Sequence, residues 1–341
     1  MIKTDKITKF SLKPHSSDAA RVLTSLEQGK FVKIICGAAN TNEKHVERLA
    51  FLYALSGADC LDVCPDENIV DAAFSGIKTA LELYGGNPEE YERFNNPLVM
   101  VSVNAGDDLH FRKAEINRNI CTNCGKCVKI CPADAVVLKA HFAEILEKKC
   151  FGCGKCAKVC KTKAVNFIKI NNNLKNFSGI KAIEIHTGNN SIKEVNDFLE
   201  LNRFLLQNIE LLSFSVESTR FTAGELADYV KSLTNLVAQK VIVQVDGTPM
   251  SATDKADSSR QAINSAAVLT GEKVDAYVQL AGGSNDKTKN LVNQSGIKIS
   301  GIGYGTFARK KVLSYIEELN DSEFLEKLQE ILNITTNLVE N

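Results

Sequence analysis

Leu98-Val-Met-Val-Ser-Val103 is a short apolar run rich in β-branched residues, and it reads as a buried strand. A cysteine-rich segment follows it directly, where neighbouring strands are followed by helices. Upstream, Phe31-Val-Lys-Ile-Ile-Cys36 and Cys60-Leu-Asp-Val-Cys64 are strand-like. Glu43 to Ser56 has helical periodicity, and Asp66 suits the N-cap of a helix through Leu83. Downstream, Ala182-Ile-Glu-Ile-His186, Leu211-Leu-Ser-Phe-Ser-Val216, Val241-Ile-Val-Gln-Val245, Ala276-Tyr-Val-Gln-Leu280 and Ile299-Ser-Gly-Ile-Gly303 repeat the pattern, with helical segments between them. Eight strands, each but the third followed by a helix, predict an α/β chain folded as a (β/α)8 barrel. The alternative is an open doubly wound sheet, although no G-x-G-x-x-G follows the first strand. The expected organisation is strands one to three in residues 1–104 and an inserted ferredoxin-like (α+β) module in 105–176. Strands four to eight and a C-terminal helix then fill 177–341.

The insert contains an internal repeat. Cys121-Thr-Asn-Cys124-Gly-Lys-Cys127-Val-Lys-Ile-Cys131-Pro132 and Cys150-Phe-Gly-Cys153-Gly-Lys-Cys156-Ala-Lys-Val-Cys160-Lys161 both follow C-x2-C-x2-C-x3-C. That is the spacing with which bacterial ferredoxins hold [4Fe–4S] clusters, one thiolate per iron, the fourth cysteine serving the other cluster. The spacing therefore assigns Cys121, Cys124, Cys127 and Cys160 to one cluster, and Cys150, Cys153, Cys156 and Cys131 to a second. Gly125, Gly152 and Gly154 allow the tight turns such loops need, and the fourth cysteine is expected to lead a short helix. Zinc also takes four thiolates, but its ribbons use two separated C-x2-C pairs. Lys161 stands where the motif has proline, so the cluster held through Cys160 is the one expected to be labile toward [3Fe–4S].

Composition agrees with this chemistry. The chain has 341 residues, 44% of them hydrophobic, and zero formal net charge, which excludes bulk attraction to nucleic acid. The polar start Met1 to Phe10 has no apolar h-region, and no apolar run is long enough to span a bilayer. A cytoplasmic location is expected. There the odd count of eleven cysteines argues for metal ligands rather than disulfides. Charge is concentrated in the insert: His110 to Ile170 holds 13 Lys and Arg against 4 Asp and Glu. This excess either offsets cluster charge or forms a docking face for an acidic electron carrier.

In a barrel, the carboxyl ends of the strands form the functional face. Cys36, Cys64, Asn104, His186, Glu217, Asp246, Gly282, Gly283, Gly303 and Gly305 would gather there. The glycine pairs follow strands seven and eight, where barrels bind phosphate, so a phosphate-bearing ligand or flavin is one reading and plain turns another. Cys36 and Cys64 would be neighbours, with Cys60 lower on its strand. They read as packing, as a redox-active pair, or as extra metal ligands.

The order of motifs supplies a further clue. Gly57-Ala-Asp-Cys-Leu-Asp-Val-Cys-Pro65, then the double cysteine repeat, then a long α/β C-terminal region resembles the light-dependent period protein (LdpA) family of cyanobacteria. That family's members are iron–sulfur proteins with two ferredoxin-type 4Fe-4S motifs, linked to the circadian clock. The resemblance implies a redox sensor that passes photosynthetic redox and light-intensity input to clock-input partners, with the eight cysteines as cluster ligands. The competing function is a barrel oxidoreductase supplied with electrons by the clusters. No complete acid–base constellation is evident in the sequence, and catalytic residues and oligomeric state are not assigned by it.

Overall fold

A computed structural model describes residues 9–13, 16–106, 108–150, 152–170, 174–247 and 258–340. The expected segments 1–104, 105–176 and 177–341 therefore each include residues outside that set. Three strands come first: β1 (Phe31–Gly37), β2 (Cys60–Val63) and β3 (Leu98–Asn104). Four short ones follow in the insert: β4 (Arg112–Ile116), β5 (Val136–Leu138), β6 (Ala143–Ile145) and β7 (Val165–Lys169). The last five are β8 (Ala182–His186), β9 (Leu211–Glu217), β10 (Ile242–Asp246), β11 (Tyr277–Ala281) and β12 (Gly301–Tyr304).

The first three and last five close into one parallel barrel, and all eight runs read as strands from the sequence are its staves. The open doubly wound sheet is excluded by the pairing of β1 with β12, Phe31 opposite Gly301. Strand β3 pairs directly with β8, Asn104 opposite His186, so the insert leaves and re-enters between neighbouring strands. The helix Glu43–Leu55 packs its continuous apolar face on the barrel. Asp66 accepts from the N–H groups of Asn68 and Ile69 at the start of the helix Glu67–Gly86, which is the predicted cap.

Inside the barrel, alternate residues face inward. The amino-terminal end is plugged by the helix Ser17–Glu27, whose Ala19, Val22 and Leu26 meet Phe31, Met100 and Leu211. Above that apolar floor the layer turns polar, with Lys33, Asp62, Ser102, Glu184, Ser213, Gln244 and Gln279 all buried. Lys33 pairs with Glu184 in full burial. Glu184 also accepts from Ser213 Oγ at 2.8 Å and Gln244 Nε2 at 3.2 Å. A buried charge is tolerated only when partnered in this way. Burial pushes Glu184 up, but the Lys33 ammonium and His186 outweigh it and hold the carboxyl at about 2. Asp62 goes the other way: burial and the Glu184 charge raise it to about 7.

Candidate functional site

The insert is built on the duplication its sequence announces. Helices Lys126–Ile130 and Lys155–Val159 each begin at a left-handed glycine, Gly125 and Gly154. Asn123 and Gly152, one residue before the second cysteine of each copy, are left-handed too, as are Asp134 and Lys163, three residues after the fourth. The sulfurs are matched in the same way. Cys131 accepts from Ala135 N at 3.3 Å and Cys160 from Ala164 N at 3.2 Å. Cys121 accepts from Ala143 N at 3.5 Å and Cys150 from Ala114 N at 3.4 Å. Two ribbons, β4 with β7 and β5 with β6, carry Ala114 and Ala143, and Ala135 and Ala164 directly precede β5 and β7.

One expectation is corrected. The fourth cysteine of each copy does not lead a helix; it ends one. The helix carries the third cysteine, and Cys131 and Cys160 cap it in extended backbone, with ψ 114 and 103. Pro132 would bias its predecessor that way. Cys160 takes the same backbone with Lys161 after it, so the missing proline leaves the placement of the thiol unchanged.

Cys131 of the first copy lies beside the cysteines of the second. Burial raises the thiol of Cys153, and Cys131 adds to it. Burial, then Cys153, Cys150 and Cys131, push Cys156 up to about 11. A small apolar cleft is lined by Cys131, Cys150, Cys153 and Cys156, with Ala114 and Ile145. Cys121 and Cys124 in turn act on Cys127. All eleven cysteines are free thiols. Converging thiols, left-handed glycines and N–H groups aimed at sulfur are the features a cubane-binding loop needs, so the residues fit an iron–sulfur cofactor.

The two halves differ in exposure. Cys150 and Cys156 are buried, and Gly152 and Gly154 pack against Arg112. Arg112 itself donates from Nε to Gly152 O at 3.1 Å. Cys124 is exposed, among exposed Lys126, Lys129 and Ile130. The inner half is tied to the barrel: Lys113, fully buried, reaches Thr41 Oγ1 at 3.2 Å, and Lys149 pairs with Glu317 at 2.9 Å.

At the barrel mouth the expected residues divide. His186 and Asp246 point inward and are buried. Asn104 shapes the exit from β3, accepting from Gly106 N at 2.9 Å and donating to Gly106 O at 2.8 Å. Glu217 accepts from Thr219 Oγ1 at the rim. Cys36 alternates with Lys33 and joins Val32 and Ile34 in the apolar layer under the helices. Cys64 donates to Asn40 O at 3.0 Å. Burial pushes both thiols up to about 12, with Asp62 adding at Cys36 and Asp66 at Cys64, which keeps them protonated and poorly nucleophilic. Cys60 lies inward at the apolar floor. Gly282 and Gly283 have φ of 66° and 103°. A Cβ there would stand 2.7 Å from Gly247 N and 2.4 Å from Ser258 O. A Cβ on Gly303 would stand 2.7 Å from Gln279 Nε2, and one on Gly305 3.8 Å from Ile35.

The structure adds two residues that sequence reasoning missed, Asp108 and His110. They lie in the stretch that carries the chain from β3 into the insert, beginning where Ala105 N bonds His186 O at 3.1 Å. Asp108 Oδ1 accepts from His110 N at 2.7 Å and stands 2.6 Å from His110 Nδ1. His186 Nδ1 lies 3.5 Å from Asp108 Oδ2, and its Nε2 3.4 Å from Glu184 Oε1. Phe111 covers His186 edge-on, with ring centroids 5.0 Å apart. Burial lowers both histidines, but Asp108, and for His186 also Glu184, outweigh it and raise them.

Comparison with known proteins places these features in a family. Residues 120–165 match a 4Fe-4S dicluster domain, and residues 174–341 match the Light dependent period A C-terminal domain. Among solved structures, a tryptophan synthase from Mycobacterium tuberculosis aligns over 96% of this chain and 98% of its own, at 12% identity and a TM-score of 0.43. A pyruvate carboxylase from Rhizobium etli aligns over 98% of this chain and 32% of its own, at 9% and 0.43. Likenesses so distant bear on neither activity nor site. No helix among the described residues is long and apolar enough to cross a membrane. Light dependent period A of Synechococcus elongatus is 31% identical over 335 residues, spanning 88% of this chain and 86% of that protein. The chain therefore belongs to the Light dependent period A family, with an iron–sulfur module set into a parallel barrel.

Proposed function

We propose that this protein is a redox-sensing regulator that holds two [4Fe–4S] clusters and passes light-linked redox input to the circadian clock. The observation that carries the two-cluster reading is the position of Cys131. It belongs to the first repeat by sequence but stands with Cys150, Cys153 and Cys156 of the second. By the symmetry of the repeat, Cys160 completes the set of Cys121, Cys124 and Cys127. The clusters supply one-electron redox chemistry when bound. The polypeptide contributes the N–H groups of Ala114, Ala135, Ala143 and Ala164 toward sulfur and the burial of the inner set.

The regulatory reading rests on the family and on the asymmetry of the module. The Cys121 set faces solvent among lysines, which suits an acidic electron carrier or a clock-input protein. The Cys150 set is anchored to the barrel through Lys113 and Lys149, so a change at the module is felt by the frame.

Anaerobic purification tests this reading. About eight iron and eight sulfide per chain are expected, and zinc without sulfide overturns it. Cys131→Ser should alter the same cluster signal as Cys153→Ser, not that of Cys124→Ser. A copurifying flavin reduced through the clusters would instead establish the oxidoreductase.

A further inference from the structure

We propose that Asp108, His110 and His186 bind one divalent transition-metal ion, Zn²⁺ or Fe²⁺, at the carboxyl-end mouth of the barrel, apart from the cysteine module. Each residue offers one donor atom, and the three atoms lie within 4.8 Å of one another. Ligands about 2.1 Å from a tetrahedral metal stand about 3.4 Å apart. The Asp108 carboxylate reaches both rings, Oδ1 standing 2.6 Å from His110 Nδ1 and Oδ2 3.5 Å from His186 Nδ1, so side-chain adjustments of about 1 Å bring one donor from each residue to that spacing.

A second observation points to a ligand. His186 Nδ1 is buried, in a residue only 5% exposed, and makes no hydrogen bond of good geometry, its contact with the Asp108 carboxylate being a long ion pair at 3.5 Å. Such a nitrogen is costly to bury unless something completes it. It faces the Asp108 carboxylate and lies under the Phe111 ring.

The surroundings are those of a metal-ligating histidine. Such residues turn their second nitrogen to a carboxylate that fixes the ring. Here His186 Nε2 faces Glu184 Oε1, and Glu184 is itself pinned by Lys33, Ser213 and Gln244. Asp108, Glu184 and Asp246 surround the two imidazoles, so the pocket favours positive charge. Two imidazoles and one carboxylate select Zn²⁺ or Fe²⁺ over the all-oxygen sites of Mg²⁺ or Ca²⁺. Three protein ligands also leave a coordination position open to water or a small molecule.

The site lies at the root of the module. His110 is followed by β4, whose Ala114 N–H reaches Cys150 Sγ. Occupancy would fix the chain where it passes from barrel to cysteine loops.

The test uses the anaerobically purified full chain, dialysed against a mild chelator until its visible spectrum and sulfide content are constant, then titrated with Zn²⁺ by calorimetry. One equivalent per chain is expected to bind. His186→Ala and Asp108→Asn should weaken that binding by ~100-fold or more, because losing a mere supporting partner already costs 10–100-fold. Sulfide content should stay unchanged, and His141→Ala, at an exposed histidine of the module, should bind as the wild type does. His110→Gln, at a partly exposed ligand, carries the test if His186→Ala does not fold. The proposal is overturned if the wild type takes up no stoichiometric Zn²⁺. It is equally overturned if variants with intact sulfide bind it unchanged, which would leave the cluster as a hydrogen-bonded charge group only.

Discussion

Gly152→Ala is the substitution that most directly links backbone geometry to cofactor retention. Gly152 has φ 69°, and an added Cβ would stand 2.2 Å from the carbonyl oxygen of Arg112. Left-handed backbone costs a residue with a side chain about 1–2 kcal/mol. Clearing the contact needs a shift of about 1 Å between the loop and β4, and forced overpacking of this kind costs about 1–3 kcal/mol. The sum, about 2–5 kcal/mol, falls on the loop that carries Cys150 and Cys153. Gly125→Ala is the internal comparison: its φ is 70°, but its nearest neighbour is Leu138 Cδ1 at 3.5 Å, so only the backbone cost applies. Urea unfolding followed by cluster absorbance, with iron per chain, measures the difference. Gly152→Ala should lose iron and unfold well before Gly125→Ala, which should fall below the wild type by the backbone cost alone. Because the clash is with backbone, trimming the Arg112 side chain should not rescue it. Equal stability and iron content in the two variants would refute the reasoning.

Other perturbations test other parts of the molecule. Glu184→Gln leaves the Lys33 ammonium buried without its counter-charge, at a cost of about 3–5 kcal/mol. At about 0.7 kcal/mol/K of unfolding entropy for a chain this long, that is a drop in Tm of about 4–7 °C. Lys33→Met added to it should recover part of the loss, and a double variant no more stable than the single would show the pair is not coupled. The raised pKa of Asp62, about 7, means the folded chain holds a proton that the unfolded chain has released. This group's contribution therefore becomes less favourable as pH rises from about 4 to 7. Asp62→Asn lacks that slope, so urea midpoints should move in the variant's favour between pH 5 and pH 8; a constant difference would show that Asp62 does not titrate there. On brief exposure to air, a [3Fe–4S] electron-spin signal should arise first from the set completed by Cys160. It should persist in Cys153→Ser and vanish in Cys124→Ser, and the reverse pattern would place the labile iron in the inner set.

The parallel barrel was legible because each stave is buried on both faces and therefore reads as a continuous apolar run. The module was legible because thiolate ligation dictates cysteine spacing. The polar layer left a fainter trace: Lys33, Asp62, Glu184, Gln244 and Gln279 each interrupt an apolar strand at an inward position. A lone charge in such a run does not name its partner, and Lys33 finds Glu184 only once β1 and β8 face each other across the barrel. Asp108 and His110 were invisible for a related reason. Their stretch, Asp-Leu-His, reads as a polar connection, and only the short turn Leu109–Phe111 folds it back over His186. Cys36 and Cys64 were grouped with the mouth because they end adjacent strands, whereas the side chain of Cys36 alternates to the far side of the sheet from Lys33.

The insert leaves the barrel after Asn104, at the end of β3, and returns at Ala182, the start of the neighbouring strand β8. Barrel closure across that seam therefore means closing a loop of roughly 80 residues, and the entropy of doing so grows with loop length. Once β4 and β7 zip, Arg112 to Lys169, the free chain falls to roughly 20 residues, which lowers the closure cost by about 1 kcal/mol. A cofactor that clamps the ribbon is thus a staple in the topology of the barrel. Its loss would loosen the β3–β8 seam before any other, by lengthening the tether rather than by removing a contact.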